Sequence, residues 1–158
     1  MPPIPRRAAL FLGLALAVSA CGGRDQTRTL VAGGGPLNQG ETPELRALIQ
    51  RYSAEYDVPV SLVHRVVQRE SRYNPQARNG PYLGLMQIRS QTAQTMGFRG
   101  SPSDLLDPDT NLRYAVKYLR GAWMVADGSE DRAVMWYSKG YYYEAKRRGL
   151  LQATGLRG

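Results

Sequence analysis

The sequence predicts a small, mainly α-helical domain, and three observations carry that prediction. Apolar residues recur at helical spacing through most of the chain from Thr42 onward, no window alternates strictly over the length of a strand, and Gly or Pro closes segments of helix length. The expected fold class is all-α. A small β-hairpin or irregular loop is expected near residues 76–88, where "QARNGPYLGLMQI" carries turn residues and little periodicity.

The first helix is read from "TPELRALIQRYSAEYDVP". Thr42 suits the cap, Pro43 fits a first helical position where its missing N–H costs nothing, and Leu45, Leu48, Ile49, Tyr52 and Tyr56 form one apolar stripe before Pro59 ends it. The second helix runs from about Ser61 to Arg72 and is closed by Asn74-Pro75. After the loop, "SQTAQTMG" predicts a short helix capped by Ser90 and ended by Gly97. A long helix starts near Asp109, and Leu112, Ala115, Val116, Leu119, Ala122, Trp123 and Ala126 keep the helical period up to Gly128. Ser129, followed by Glu130 and Asp131, opens another helix, since acidic residues suit the positive helix start. "YYYEAKRR" before Gly149 predicts the last.

The start of the chain reads differently. Arg6 and Arg7 precede an apolar run from Ala8 to Val18 that ends in "VSAC", which is the charged start, apolar middle and small-residue site of an export signal. The run is too short to span a bilayer. Cys21 is the only cysteine, and its Gly, Gly, Arg and Asp neighbours offer it no core. "VSAC" resembles the lipobox of bacterial lipoproteins, which implies lipidation of Cys21 and a membrane anchor; Gly22 carries no obvious retention signal, so the outer membrane facing the periplasm is expected. The reading is therefore a signal peptide over 1–20, a Gly-rich flexible tether over 21–41 and one globular domain over 42–158. With no second cysteine, packing alone must hold that domain.

Within the second helix Val63, Val66 and Val67 lie on one stripe, and the next positions on it are Glu70 and Asn74, while Arg65, Gln68, Arg69 and Arg72 take the other face. A carboxylate facing the core pays for its charge in lost hydration and responds by raising its pKa. Other chemistry is sparse. His64, the one histidine, sits beside the stripe as a packing or hydrogen-bonding residue, and there is neither a His/Cys cluster nor a Gly-rich phosphate loop. No metal and no cofactor is expected, and a half-buried acid is left as the catalytic candidate. The net charge is +8, and removal of Arg6 and Arg7 with the signal leaves 19 basic residues against 13 acidic. That surplus suits anionic peptide stems or lipid heads, and nothing in it selects nucleic acid.

The residues around Glu70 carry a resemblance. "ESRYNPQA" at 70–77, "GLMQI" at 84–88, "LLDPDTNLRYAVKYL" at 105–119 and "AVMWYSKG" at 133–140 resemble, in order and spacing, the soluble-lytic-transglycosylase-like domain family, over most of residues 45–140. The resemblance implies a goose-lysozyme-like helical fold and cleavage of peptidoglycan glycan strands by a monomer. It places Glu70 as the catalytic acid/base, Ser71 as the serine that follows it, Met86 and Gln87 in the segment lining the glycan groove, and Tyr137 as the tyrosine that hydrogen-bonds the Glu.

The implied mechanism needs one carboxylate only. Glu protonates the leaving glycosidic oxygen, then accepts the proton of the C6 hydroxyl of the same N-acetylmuramic acid as that oxygen closes a 1,6-anhydro ring. Two departures touch the groove. Family members commonly carry "YNAG" where this chain has "YSKG", so Ser138 replaces an Asn and Lys139 a small residue, and the loop before "GLMQ" is Arg78-Asn79-Gly80-Pro81-Tyr82 instead of a serine and small residues. Two other readings stay open: a hydrolytic muramidase of the same fold, and a non-catalytic glycan-binding or envelope-assembly lipoprotein.

Overall fold

The computed structural model describes residues 35–156; the expected export signal, Cys21 and much of the expected tether lie outside the described residues. Helix α1 spans Pro43–Glu55 and α2 spans Val60–Ser71. Three two-residue strands follow, β1 Arg78–Asn79, β2 Tyr82–Leu83 and β3 Ile88–Arg89. Helices α3 Ser90–Thr95, α4 Pro108–Val125, α5 Glu130–Lys139 and α6 Tyr142–Arg147 complete the described chain. The mainly helical fold is as the periodicity predicts.

Helix α4 packs against α1 and α5, and Leu112, Ala115, Val116, Leu119 and Ala122 on its stripe are fully buried. Thr42 caps α1 by accepting the Leu45 N–H at 3.2 Å, and Ser129 caps α5 by accepting that of Arg132. The cap of α4 is Asp107, whose carboxylate accepts the Thr110 N–H at 2.8 Å, so the helix begins just before the expected Asp109.

Three local expectations are corrected. Ser90 does not cap α3: it is the helix's first residue, and Arg89, in extended conformation at the end of β3, holds the cap position with no side-chain bond. Helix α2 is stopped by Arg72 and Tyr73, both left-handed (φ 52 and 62), before Asn74-Pro75 is reached. The stretch Pro102–Leu106, unassigned from sequence, is a 3₁₀ helix whose start is held by the Ser101 N–H bond to Asp104, 2.8 Å.

The loop expected near 76–88 is a three-stranded antiparallel sheet in the order β1-β2-β3. Gly80-Pro81 closes the first hairpin with Gly80 at φ +57, a conformation that suits glycine. Leu83 and Ile88 pair across β2 and β3 and point into the core, which places Tyr82 and Arg89 as a pair on the outer face.

Contacts with the domain begin before residue 42. Buried Glu41 accepts from Arg46 Nε at 3.0 Å and from the Asn38 backbone at 2.8 Å, and Arg46 also donates to the Gly35 and Pro36 carbonyls. Desolvation would raise the Glu41 pKa, but the bonds from Arg46 and Asn38 outweigh it and hold the carboxyl below its usual range.

Candidate active site

Three elements converge on a cleft: the last turn of α2 brings Glu70, the sheet brings Asn79 and Tyr82 with Gln87 from the turn between β2 and β3, and α5 brings Tyr137 and Ser138. Helices α2 and α5 are held in place on their far ends by Arg65, which pairs with Asp131, and by Ser61, which donates to Glu130 at 2.6 Å. Arg65 is therefore engaged away from Glu70.

Glu70 continues the stripe of Val63, Val66 and Val67, which are at most 1% exposed, and its own side chain keeps 22% of its surface. It is thus dehydrated but reachable. Burial raises its pKa above the ordinary value of 4.5, and the neighbouring Arg69 opposes that rise without cancelling it. Arg69 Nε stands 3.5 Å from Glu70 Oε1 on a side chain that is 51% exposed, so water screens most of the attraction. The shift runs toward holding the proton, the direction that suits a general acid.

The structure redistributes the other expected roles. Tyr137 faces the same cleft as Glu70, yet its hydroxyl donates to the Met86 carbonyl at 2.9 Å and not to Glu70. The physical reason is that a buried carbonyl must find a donor, and a phenol has only one proton to give. Burial, and secondarily the charge of Glu70, push the Tyr137 pKa well above the ordinary phenol value, so the proton stays in place. The oxygen's lone pairs remain free to accept a hydrogen bond.

Met86 does not line the groove with its side chain. That side chain is fully buried in the core, and the residue contributes its backbone carbonyl instead. Gln87 does line the cleft, in a left-handed conformation (φ 49) that is unfavourable for a residue with a Cβ. Its amide nitrogen pins that conformation by donating to the Gly84 carbonyl at 2.9 Å and the Ala77 carbonyl at 3.1 Å, which leaves the amide oxygen as its free acceptor. Ser71 stands outside the cleft lining, with its hydroxyl donating to the Val67 carbonyl at 3.2 Å. Ser138 lines the cleft, but its hydroxyl proton turns back to the Val134 and Met135 carbonyls, both at 3.1 Å. His64 packs away from Glu70, its Nδ1 lying 2.9 Å from the Tyr73 hydroxyl, with burial lowering its pKa.

Sequence reasoning placed the loop that holds Asn79 and Tyr82 at the groove without singling out either residue, and it missed Asn111 beneath it. Tyr82 had a signal, an aromatic in a turn-rich loop, and it is 41% exposed. Asn111 had none in its own segment, where it falls between a helix start and the apolar stripe. Fully buried, it accepts the Met86 N–H at 3.0 Å and donates to the Leu83 carbonyl at 2.9 Å and the Leu105 carbonyl at 2.7 Å. Gly84 lies directly over it at φ +72, where any Cβ would collide with the Asn111 amide and the Leu105 carbonyl.

A half-buried carboxyl, the one that lines this groove among the described residues, between helices and a small sheet defines a helical, lysozyme-like domain with the means for acid catalysis. Residues 47–152 match the model of the transglycosylase SLT domain, and the chain belongs to that family. It is 33% identical over 120 residues to the membrane-bound lytic murein transglycosylase F of Vibrio cholerae, covering 72% of this chain and 22% of that protein. It is 35% identical over 98 residues to the peptidoglycan transglycosylase gp16 of Escherichia phage T7, covering 59% of this chain and 7% of that protein. To the soluble lytic murein transglycosylase of Escherichia coli it is 32% identical over 80 residues, covering 46% of this chain and 12% of that protein. The chain thus spans between 7% and 22% of the length of these relatives.

Proposed function

We propose that the chain is a peptidoglycan lytic transglycosylase that cleaves the β-1,4 bond between N-acetylmuramic acid and N-acetylglucosamine without water and leaves 1,6-anhydro ends. The observation that carries this reading is that Glu70 is the one carboxylate lining the cleft among the described residues, and that burial raises its pKa. Ordinary glycosidases pair two carboxyl groups across the scissile bond, one to donate and one to act as base or nucleophile. With one, an internal nucleophile on the substrate removes the need for a second carboxylate to activate water.

Each step balances on that group. Glu70 gives its proton to the glycosidic oxygen as the C1–O bond breaks, and the C6 hydroxyl oxygen of the same sugar bonds to C1. The proton of that hydroxyl passes to the Glu70 carboxylate, which restores the starting acid. Tyr137 supports the cycle by accepting from the protonated form, and Gln87 and Ser138 offer oxygen acceptors to sugar hydroxyls and N-acetyl N–H groups. The test is mass spectrometry of purified sacculi digested with the protein. Anhydro ends support the reading; reducing ends would assign a hydrolytic muramidase, and unaltered sacculi a binding protein.

Ser138 gives an independent check on the groove. Its turned-back hydroxyl offers only an acceptor, so Ser138→Asn, which adds an amide able to donate and accept, is expected to keep activity or raise it. A large fall in the rate of anhydro-muropeptide release would show that the "YSKG" segment binds the strand in a way of its own.

The anchor belongs to the same proposal: export by residues 1–20, lipidation of Cys21, and a tether that holds the domain at the outer membrane facing the periplasm as a monomer. Its supports are the "VSAC" sequence and the flanking Gly and polar residues. Cys21→Ser is expected to abolish acyl labelling and move the protein to the soluble fraction. An unlabelled wild type with unchanged membrane fractionation would remove the anchor.

A further inference from the structure

The cleft above Glu70 continues past Tyr137 into a second compartment, and the two share Tyr82, Gln87, Tyr137 and Ser138 as a common wall. Beyond that wall the charged residues are Arg89, from β3, and Lys139, from the last turn of α5; among the described residues no carboxylate lines the compartment. Arg89 is held by its partner across the sheet: it pairs in register with Tyr82, and its guanidinium lies 6.0 Å from that ring's centroid. Elsewhere on the described surface arginines are commonly neutralised, as in Arg113 with Asp109, Arg147 with Glu144 and Arg148 with Asp127. Among the described residues, none forms an ion pair with Arg89 or Lys139. The negative end of α5 accounts for a lysine at 139, but it does not account for an arginine on a strand facing the same space.

A neutral N-acetylglucosamine ring has no use for two unpaired cations. We propose that this end of the groove is a carboxylate-binding subsite that takes the acidic substituent on a muramic acid of the bound strand. The inference rests on the groove being glycan-binding, and it assigns to Lys139 and Arg89 a role in choosing substrate. The same carboxylate chemistry can come from two sources: the free lactyl group of a strand without its peptide, or the carboxylates of an attached stem peptide.

The experiment measures binding instead of turnover. The full chain carrying Glu70→Gln, its fold checked by melting, is titrated by calorimetry with four tetrasaccharides of alternating N-acetylglucosamine and N-acetylmuramic acid. One bears free lactyl carboxylates, one neutral lactamides, one stem peptides with free carboxylates, and one the same peptides fully amidated. At least one anionic ligand should bind roughly five- to tenfold more tightly than its neutral counterpart, the yield of two partly exposed charge pairs. Which pair shows the difference identifies the source. The preference should shrink in high salt and disappear when Arg89→Gln and Lys139→Gln are combined. Lys139→Glu alone, at an exposed position, should turn it toward the neutral ligand. Equal binding of charged and neutral ligands, or a preference that survives the double substitution, would overturn the subsite. Sacculi digestion by the wild type is read separately: charge-dependent binding without anhydro products would remove the catalytic reading and leave the subsite standing.

Discussion

Glu70→Gln should lower the release of anhydro-muropeptides by about a hundredfold or more, the usual worth of a general acid, and leave the domain folded. Glutamine keeps the shape of the side chain and has no proton to donate. The stability of the same variant tells a catalytic carboxyl from a structural one. A glutamate whose folded pKa is raised adds stability that is fully present below its unfolded pKa and is lost as pH rises through the folded value. At neutral pH the charged group is therefore a small burden on the fold. Glu70→Gln should melt at the same temperature as the wild type or slightly higher at pH 7, with that advantage gone near pH 4. Were Glu70 a buried partner of Arg69, removing it would destabilise the protein instead, but the 3.5 Å contact to a half-exposed guanidinium does not have that character. The pH dependence of the wild type follows from the same sign. The acid form is the active one, so turnover should decline as pH rises through a pKa above 4.5. Retained activity in Glu70→Gln, or a melting point many degrees lower at pH 7, would rule out the catalytic role.

What could be read from the sequence and what could not divides along a physical line. Helices α1, α4 and α5 were legible because their apolar stripes and caps are local: Thr42, Pro43 and Ser129 do in the structure what their positions announce. Glu70 was legible for the same reason, since an acid on an apolar stripe is visible at helical spacing. The other site residues act through contacts between segments far apart in the chain. The Tyr137 hydroxyl meets the Met86 carbonyl across 51 positions, and Met86 enters the core because the strands on either side of it set its direction. No periodicity records which oxygen a side chain will find. The left-handed geometry of Gln87 and of Arg72-Tyr73 was equally hidden, because these residue types do not advertise positive φ as glycine does.

Asn111→Ala is expected to be the most damaging single change to the fold around the site. The Asn111 amide joins three segments, the strand residue Leu83, the backbone of Met86 and the 3₁₀ turn at Leu105, and it does so with no exposure to water. Truncation strands one N–H and two carbonyls in a buried space. At about 1–3 kcal/mol for each unsatisfied group, with a water able to recover part, the net loss should be about 4 kcal/mol. For a domain of this size that lowers the melting temperature on the order of 15 °C. Activity should fall with it, because Tyr137 and Gln87 both hold their positions through the Gly84–Gln87 segment that Asn111 supports. Asn111→Asp separates hydrogen bonding from packing. It has the same shape and still accepts the Met86 N–H, but as a carboxylate it sets an oxygen against the Leu83 and Leu105 carbonyls. The fold would then favour the protonated acid, so its folded pKa rises above the unfolded value, and its stability should be greatest at acid pH and be lost as pH increases. Thermal melts of wild type, Asn111→Ala and Asn111→Asp at pH 4.5 and pH 7 decide the matter. A loss of only a few degrees in Asn111→Ala, or an Asn111→Asp protein whose deficit is the same at both pH values, would mean that the segment beneath Gln87 is held by packing and not by this amide.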